Sequence, residues 1–182
     1  MAKTMINIRF FTVADYREET DWLRRQHQSG WKLKKFFPPC FFAFEACQPE
    51  DVIYQLDYKN KRVTADYLQL FDDYGWKYCG SCLGWNYFRK PLSKIENDEE
   101  REIFSDTESK LTMVEHIFKT RILPLLIIFC TLIIPQLFMF ISGTRAFDKA
   151  IFGMFALLAI VYLYIFIRVG FKLRQIRASL KN

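Results

Sequence analysis

The stretch "DYLQLFDDYGWKY", Asp66–Tyr78, restates "DWLRRQHQSGWKL", Asp21–Leu33, at a fixed offset of 45 positions and without a gap. Asp21 meets Asp66, Trp22 meets Tyr67, Leu23 meets Leu68, and Gly30-Trp31-Lys32 meets Gly75-Trp76-Lys77. Each copy reads as a helix that stops at glycine, the residue that enters the left-handed region without a Cβ penalty. A tryptophan then opens a strand. In the second copy Val63, Tyr67, Leu70, Phe71 and Tyr74 recur at helical spacing. Ahead of the first copy, Asp15 and Glu18 have the spacing of an N-terminal capping box.

Working outward, "INIRFFTV" (Ile6–Val13) lies opposite "VIYQLDY" (Val52–Tyr58), both rich in β-branched and aromatic residues. The first half then reads as strand Met5–Val13, helix Tyr16–Ser29 and strand Trp31–Cys47, the last broken at Pro38-Pro39. The second reads as Asp51–Tyr58, Val63–Tyr74 and Trp76–Arg89, with "QPED" as the turn between halves. Two βαβ units joined by a hairpin predict an α+β fold: a ferredoxin-like split βαβ repeat (βαββαβ) with two helices on one face of a four-stranded antiparallel sheet. In such a fold Leu23, Leu68, Trp31 and Trp76 are core positions, and Lys32 and Lys77 face solvent.

Beyond the repeat the composition changes. The segments Ile122–Thr144 and Ala150–Ile167 carry no charge. A bilayer core takes roughly 20 mainly apolar residues per helix, and a soluble domain of this size has nothing with which to cover two helices apolar all round. A transmembrane hairpin over 122–167 is expected, with spans 122–143 and 150–167. Pro124 and Pro135 are expected to kink its first span. Eight basic residues flank the outer ends of the spans (Lys110, Lys119, Arg121, Arg168, Lys172, Arg174, Arg177, Lys181), against Arg145 and Lys149 in the connecting loop. The positive-inside bias places the N-terminal domain and the C-terminal tail in the cytoplasm. The start of the chain lacks the apolar core of a secretory signal, which agrees. The expected organisation is therefore a domain over 1–91, an acidic linker and juxtamembrane amphipathic segment over 92–121, the hairpin, and a basic tail over 168–182. The net charge of +6 belongs to the hairpin and its tail, since residues 1–91 hold 14 basic and 11 acidic groups and residues 122–182 hold 7 and 1.

The stretch from about Asn7 to Lys90, with "DWLRRQHQSGWKL", "PEDVIYQLDY", "DYLQLFDDYGWKY" and "GWNYFRKP", resembles the Domain of Unknown Function 2812 family of bacterial membrane proteins. The resemblance implies membrane spans after the cytoplasmic domain, and location in a bacterial cell membrane as a multi-pass protein. Members are often encoded beside PadR-type transcriptional regulators, which implies a regulatory setting. It supplies no catalytic residues.

The residues themselves offer two candidates for function. "CGSC", Cys79–Cys82, has the spacing of a thiol or metal motif, but it follows a strand start rather than opening a helix, where a dipole would lower the thiol pKa. Cys40 and Cys47 are spaced too widely to complete a usual zinc knuckle. His27 and His116, the two histidines, have no sequence-level partners, and no phosphate or dinucleotide loop occurs. No catalytic, cofactor or metal site is expected, and no cofactor.

The second candidate is aromatic. A split βαβ sheet leaves one face uncovered, and Phe42, Phe44, Tyr54, Trp85 and Tyr87 are expected to line it as a partner-binding surface. "CFFAFEAC" lacks the basic residue and glycine of an RNA-binding strand, so nucleic acid is disfavoured as a partner. The lipid bilayer and a protein partner or homo-oligomer remain. The expected function is a membrane-anchored, non-enzymatic regulatory or sensing protein whose cytoplasmic domain binds a partner or small ligand. An accessory subunit of a transporter or envelope enzyme is the alternative, and a thiol redox protein using Cys79 and Cys82 a weaker one.

Overall fold

A computed structural model of the chain describes residues 3–38, 40–59, 63–95, 97, 101, 107–143 and 145–179. Most of the acidic connector, residue 144 in the interhelical loop and the last three residues lie outside these. The chain forms two compact units, residues 1–107 and 108–182.

The first unit is α+β, in the order β1 (Thr4–Ile8), α1 (Tyr16–Gln28), β2 (Trp31–Phe37), β3 (Phe41–Ala46), β4 (Val52–Tyr58), α2 (Ala65–Asp73), β5 (Lys77–Cys82) and β6 (Trp85–Pro91). It holds two antiparallel three-stranded sheets, ordered β1-β3-β2 and β4-β6-β5, rather than the single four-stranded sheet expected. The cause is local. Each long extended run folds back on itself, between the paired residues Phe37 and Phe41 in the first half and at Leu83-Gly84 in the second. Leu83 (φ +50°) and Gly84 (φ +86°) both adopt left-handed backbone, the signature of a two-residue hairpin turn.

The same register governs both sheets. Met5 and Leu33 flank Phe44, as Gln55 and Tyr78 flank Phe88. The β2–β3 ladder shifts between Leu33 and Lys35, and the β5–β6 ladder between Tyr78 and Gly80. The residue left over at each bulge is Lys34 and Cys79 respectively, which are 45 positions apart. Gly30 and Gly75 end the helices at φ +86° and +78°. The start of α1 differs from the capping box expected. Asp15 turns back, its Oδ2 accepting from the Thr12 N–H (2.7 Å) and the Thr12 hydroxyl (2.6 Å). At α2 it is Thr64 that caps, its Oγ1 accepting from the Tyr67 N–H at 3.3 Å.

Helix α1 lies between the sheets, which is why so polar a helix is buried on two sides. Toward the first sheet, Trp22 packs edge-on against Phe42 (4.8 Å) and Phe44 (5.5 Å). Toward the second, Tyr16 stacks on Trp85 at 5.5 Å, and Glu19 and His27 bond to Tyr87 and Tyr54. Helix α2 covers the opposite face of the second sheet, where Phe71 packs on Phe88 at 4.3 Å, with Trp76 and Ile53 beside them. The second sheet is thus covered on both faces, and β4 and β6 are buried almost throughout. The first sheet is covered on one face only, so β1 and β3 alternate.

The second unit holds two helices long and apolar enough to cross a membrane, Leu111–Phe140 and Ala146–Ile176. Between them, Phe129 stacks on Tyr162 at 5.8 Å and meets Phe166 edge-on. Proline removes one helical N–H and its ring collides with the carbonyl four residues back. Both prolines of the first helix follow a widened π-helical turn, Phe118–Ile122 before Pro124 and Phe129–Ile133 before Pro135. The Thr120 and Thr131 hydroxyls donate to the carbonyls of His116 (2.7 Å) and Ile127 (2.8 Å). Both turns share the spacing Phe-x-Thr-x-Ile-x-Pro, repeated at an interval of 11 residues. The second helix runs unbroken from Ala146 to Ser179, so the basic tail continues the helix as far as the structure describes it.

Candidate interaction surface

The first sheet presents its uncovered face to solvent, and the register sets out its side chains in rows. Ile8, Phe41 and Phe37 form one row, Ile6, Ala43 and Lys35 the next, and Thr4, Glu45 and Lys32 the third. Ile6 is 66% exposed, Ile8 64%, Phe37 44% and Phe41 39%, a contiguous apolar patch on a folded sheet. Its rim is mostly basic. Glu45 binds Lys32 at 2.8 Å and Lys34 at 3.7 Å, and these lysines hold its carboxyl below the usual range. The Lys35 ammonium lies 4.7 Å from the centre of the Phe37 ring. The extra residue at the bulge is what allows Lys32, Lys34 and Lys35 to gather on one side of a strand.

The five aromatics expected on the open face are all buried. Phe42 and Phe44 point inward onto Trp22, because the opposite parity of β3 is the exposed one. Tyr54, Trp85 and Tyr87 belong to the second sheet, on the face that α1 covers. An open apolar sheet face exists, but Ile6, Ile8, Phe37 and Phe41 form it.

Under α1 lies a polar cluster that the sequence reading did not single out. The Tyr87 hydroxyl donates to Glu19 at 2.7 Å. Burial pushes the Glu19 carboxyl up to about 7, the Tyr87 bond opposes this and the charge of Asp15 adds to it. Two turns along the helix, burial pushes His27 down to about 4, helped by the charges of Arg89 and Lys32. Neutral His27 shares a hydrogen bond of 2.9 Å with the Tyr54 hydroxyl, which also accepts from the Leu33 N–H at 3.4 Å. Burial raises Tyr54 to about 12. Nη1 of Arg89 is buried with no hydrogen-bond partner. The helical spacing of Glu19, Leu23 and His27 was the available signal: three residues four apart, two of them titratable, on one side of a helix that also presents Trp22 elsewhere. Because Glu19 and His27 each bond a tyrosine of the second sheet, the cluster fixes the seating of α1 on that sheet.

Cys79 and Cys82 sit on β5, at the bulge and at the strand end. Burial pushes the Cys79 thiol up to about 11, against the pull of Arg89 and Lys77, so little thiolate is present at neutral pH. Cys40, Cys47, Cys79, Cys82 and Cys130 form no disulfide. Among the described residues, no group of three or more His, Cys, Asp or Glu could hold a metal ion. Tyr67 donates a short hydrogen bond to Asp57 and accepts one from Asn86, so a tyrosine–carboxylate bond ties α2 to the second sheet from one face as the Glu19–Tyr87 bond ties α1 to it from the other.

A family model described as a protein of unknown function (DUF2812) matches residues 15–127, from the start of α1 into the first apolar helix. No curated protein and no solved structure matches the chain.

Proposed function

The chain belongs to the DUF2812 family of proteins of unknown function, and we propose that it is a membrane-anchored, non-enzymatic regulatory protein whose first unit binds a partner through the open face of its first sheet. One observation carries this reading: Ile6, Ile8, Phe37 and Phe41 stay exposed side by side in the paired rows of one sheet face, whereas the unit's other exposed large apolar residues, Phe10, Leu70, Tyr74 and Leu83, lie outside its sheet strands or at a hairpin turn. Leaving such a patch in water costs roughly 25 cal/mol per Å², so covering it releases that free energy. The two long helices serve as the anchor in a bacterial cell membrane. The excess of basic residues at their outer ends favours a cytoplasmic first unit. In the second unit an apolar groove of about 500 Å³, edged by Arg174 and by Lys119 with its ion-pair partner Glu115, fits the headgroup level of a lipid bilayer. The high pKa of Cys79 weighs against a thiol redox role.

The test is a photo-crosslinking residue in place of Ile8 in the full chain, activated in intact membranes. A discrete protein adduct that disappears when Phe41→Asp is added supports the reading. Absence of any such adduct, at native expression and with Leu83 as the control site, overturns it.

A further inference from the structure

The open face already has a covered counterpart within the same unit. In the first sheet Ile8 pairs with Phe41 and Ile6 with Ala43; in the second, Tyr58 pairs with Trp85 and Leu56 with Tyr87, at the same places in the same strand order. All four of those second-sheet residues are at most 7% exposed, because α1 lies over them. The fold therefore contains, once, a helix docked on this kind of face. On the first sheet the helix is missing.

Helix α2 has the same place in its half as α1 in the other, and its outer side is exposed at Gln69, Asp72 and Asp73, with Leu68 only partly buried against the core around Phe71 and Phe88. Leu68 corresponds to Leu23 and Asp72 to His27, the residue with which α1 bonds Tyr54 of the second sheet. Around Leu68 lies a shallow depression of about 300 Å³, lined by Ala65, Leu68, Gln69, Asp72, Trp76 and Tyr78. The charges match the open face. Asp66, Asp72 and Asp73 are the charged residues of α2, whereas three lysines and one glutamate edge the open face.

We propose that helix α2 of a second copy of this chain covers the open face of the first sheet, seating Ile8 and Phe41 against the Leu68 depression and Asp72 beside Lys35. This rests on the reading of that face as a binding surface and names its occupant. The contact joins two different surfaces, so it is head-to-tail and leaves each copy with one free face and one free helix. Such contacts build rings or rows rather than two-fold pairs.

The test uses the full chain in detergent micelles, with association followed by sedimentation over a range of protein concentrations. Ile8→Asp disables the face and Asp72→Lys the helix. Ile8→Asp weakens self-association at least about tenfold by placing a charge at the centre of the contact. Asp72→Lys weakens it about fivefold by setting like charges together. An equimolar mixture of the two variants forms one-to-one pairs, through the intact face of one and the intact helix of the other. A two-fold contact gives no such recovery. A wild-type chain that stays monomeric, association insensitive to Ile8→Asp, or a mixture that does not recover overturns the proposal. In those cases an Ile8 adduct to a different protein in membranes leaves the binding face standing with another occupant, and absence of any adduct removes both.

Discussion

Phe41 and Trp85 hold the same place in two sheets built to the same strand order, yet one is 39% exposed and the other 7%. The difference does not come from the strands. It comes from α1, which lies between the sheets and covers the inner face of the first and the equivalent of the outer face of the second. One helix thus serves two sheets, while α2 serves one. Whether an apolar row becomes core or surface is decided here by an element from the other half of the unit.

The largest effect expected from this comparison is at Trp85. Trp85→Ala removes a ring packed on Tyr16 and Tyr58 and should cost about 3–5 kcal/mol in denaturant unfolding. Phe41→Ala, at the matching place, should cost less than about 1 kcal/mol while weakening partner capture. Similar losses of stability would show that Phe41 is core after all.

The next effect depends on pH. Folded Glu19 titrates near 7 against an ordinary value of 4.5, so the fold retains its proton to higher pH than the unfolded chain does. The cost of ionising it is absent below about pH 4.5, grows through pH 7 and then levels at about 3 kcal/mol, at 1.36 kcal/mol per pKa unit. His27 works the other way. Its folded value near 4 makes the fold pay a cost that appears as pH falls below 6.5. The two trends offset one another at mildly acid pH, so the wild-type profile hides both. Glu19→Gln should therefore stabilise the unit by up to about 3 kcal/mol at pH 8 and leave it unchanged at pH 4. A gain independent of pH would contradict the buried, protonated Glu19 bonded to Tyr87.

The smallest effect separates the two helix stops. A Cβ on Gly30 would lie 3.2 Å from the Cys47 carbonyl oxygen, which is backbone, whereas one on Gly75 would lie 3.4 Å from the flexible Lys90 side chain. Both carry the strain of a positive φ. Gly30→Ala should cost about 2 kcal/mol and Gly75→Ala about 1 kcal/mol, read as the difference in thermal unfolding.

Much of this half-by-half design is legible in the sequence. The glycine stops, the two helices and the fourth strand follow from local chemistry and lie within two residues of their expected bounds, while the first strand starts within a residue of its expected place but ends at Ile8 rather than Val13. The hairpins do not show, because nothing in "CGSCLGWNYF" announces that Leu83, a residue that rarely takes positive φ, turns the chain. Nor does the parity of the open face. Period-two alternation in "FFAFEA" defines two faces and is silent on which one a helix covers, so Phe42 and Phe44 exchange places with Phe41 and Ala43. Tyr54, Trp85 and Tyr87 were beyond reach for a related reason: a sheet covered on both sides depends on partners far away in the chain, 27 residues for Tyr54 and His27 and 68 for Tyr87 and Glu19. The Phe-x-Thr-x-Ile-x-Pro spacing of the first apolar helix was readable, but its meaning as a widened turn before each proline needed the backbone.

The central claim is that the first sheet's outer face is covered when the protein is at work. Hydroxyl-radical labelling of the full chain tests it most directly, comparing native membranes with the same protein diluted in detergent. Phe41 and Ile8 should be labelled several-fold less in membranes, while Leu83, 54% exposed at a hairpin tip, should be labelled equally in both. Equal labelling of Phe41, Ile8 and Leu83 in both settings would contradict the claim.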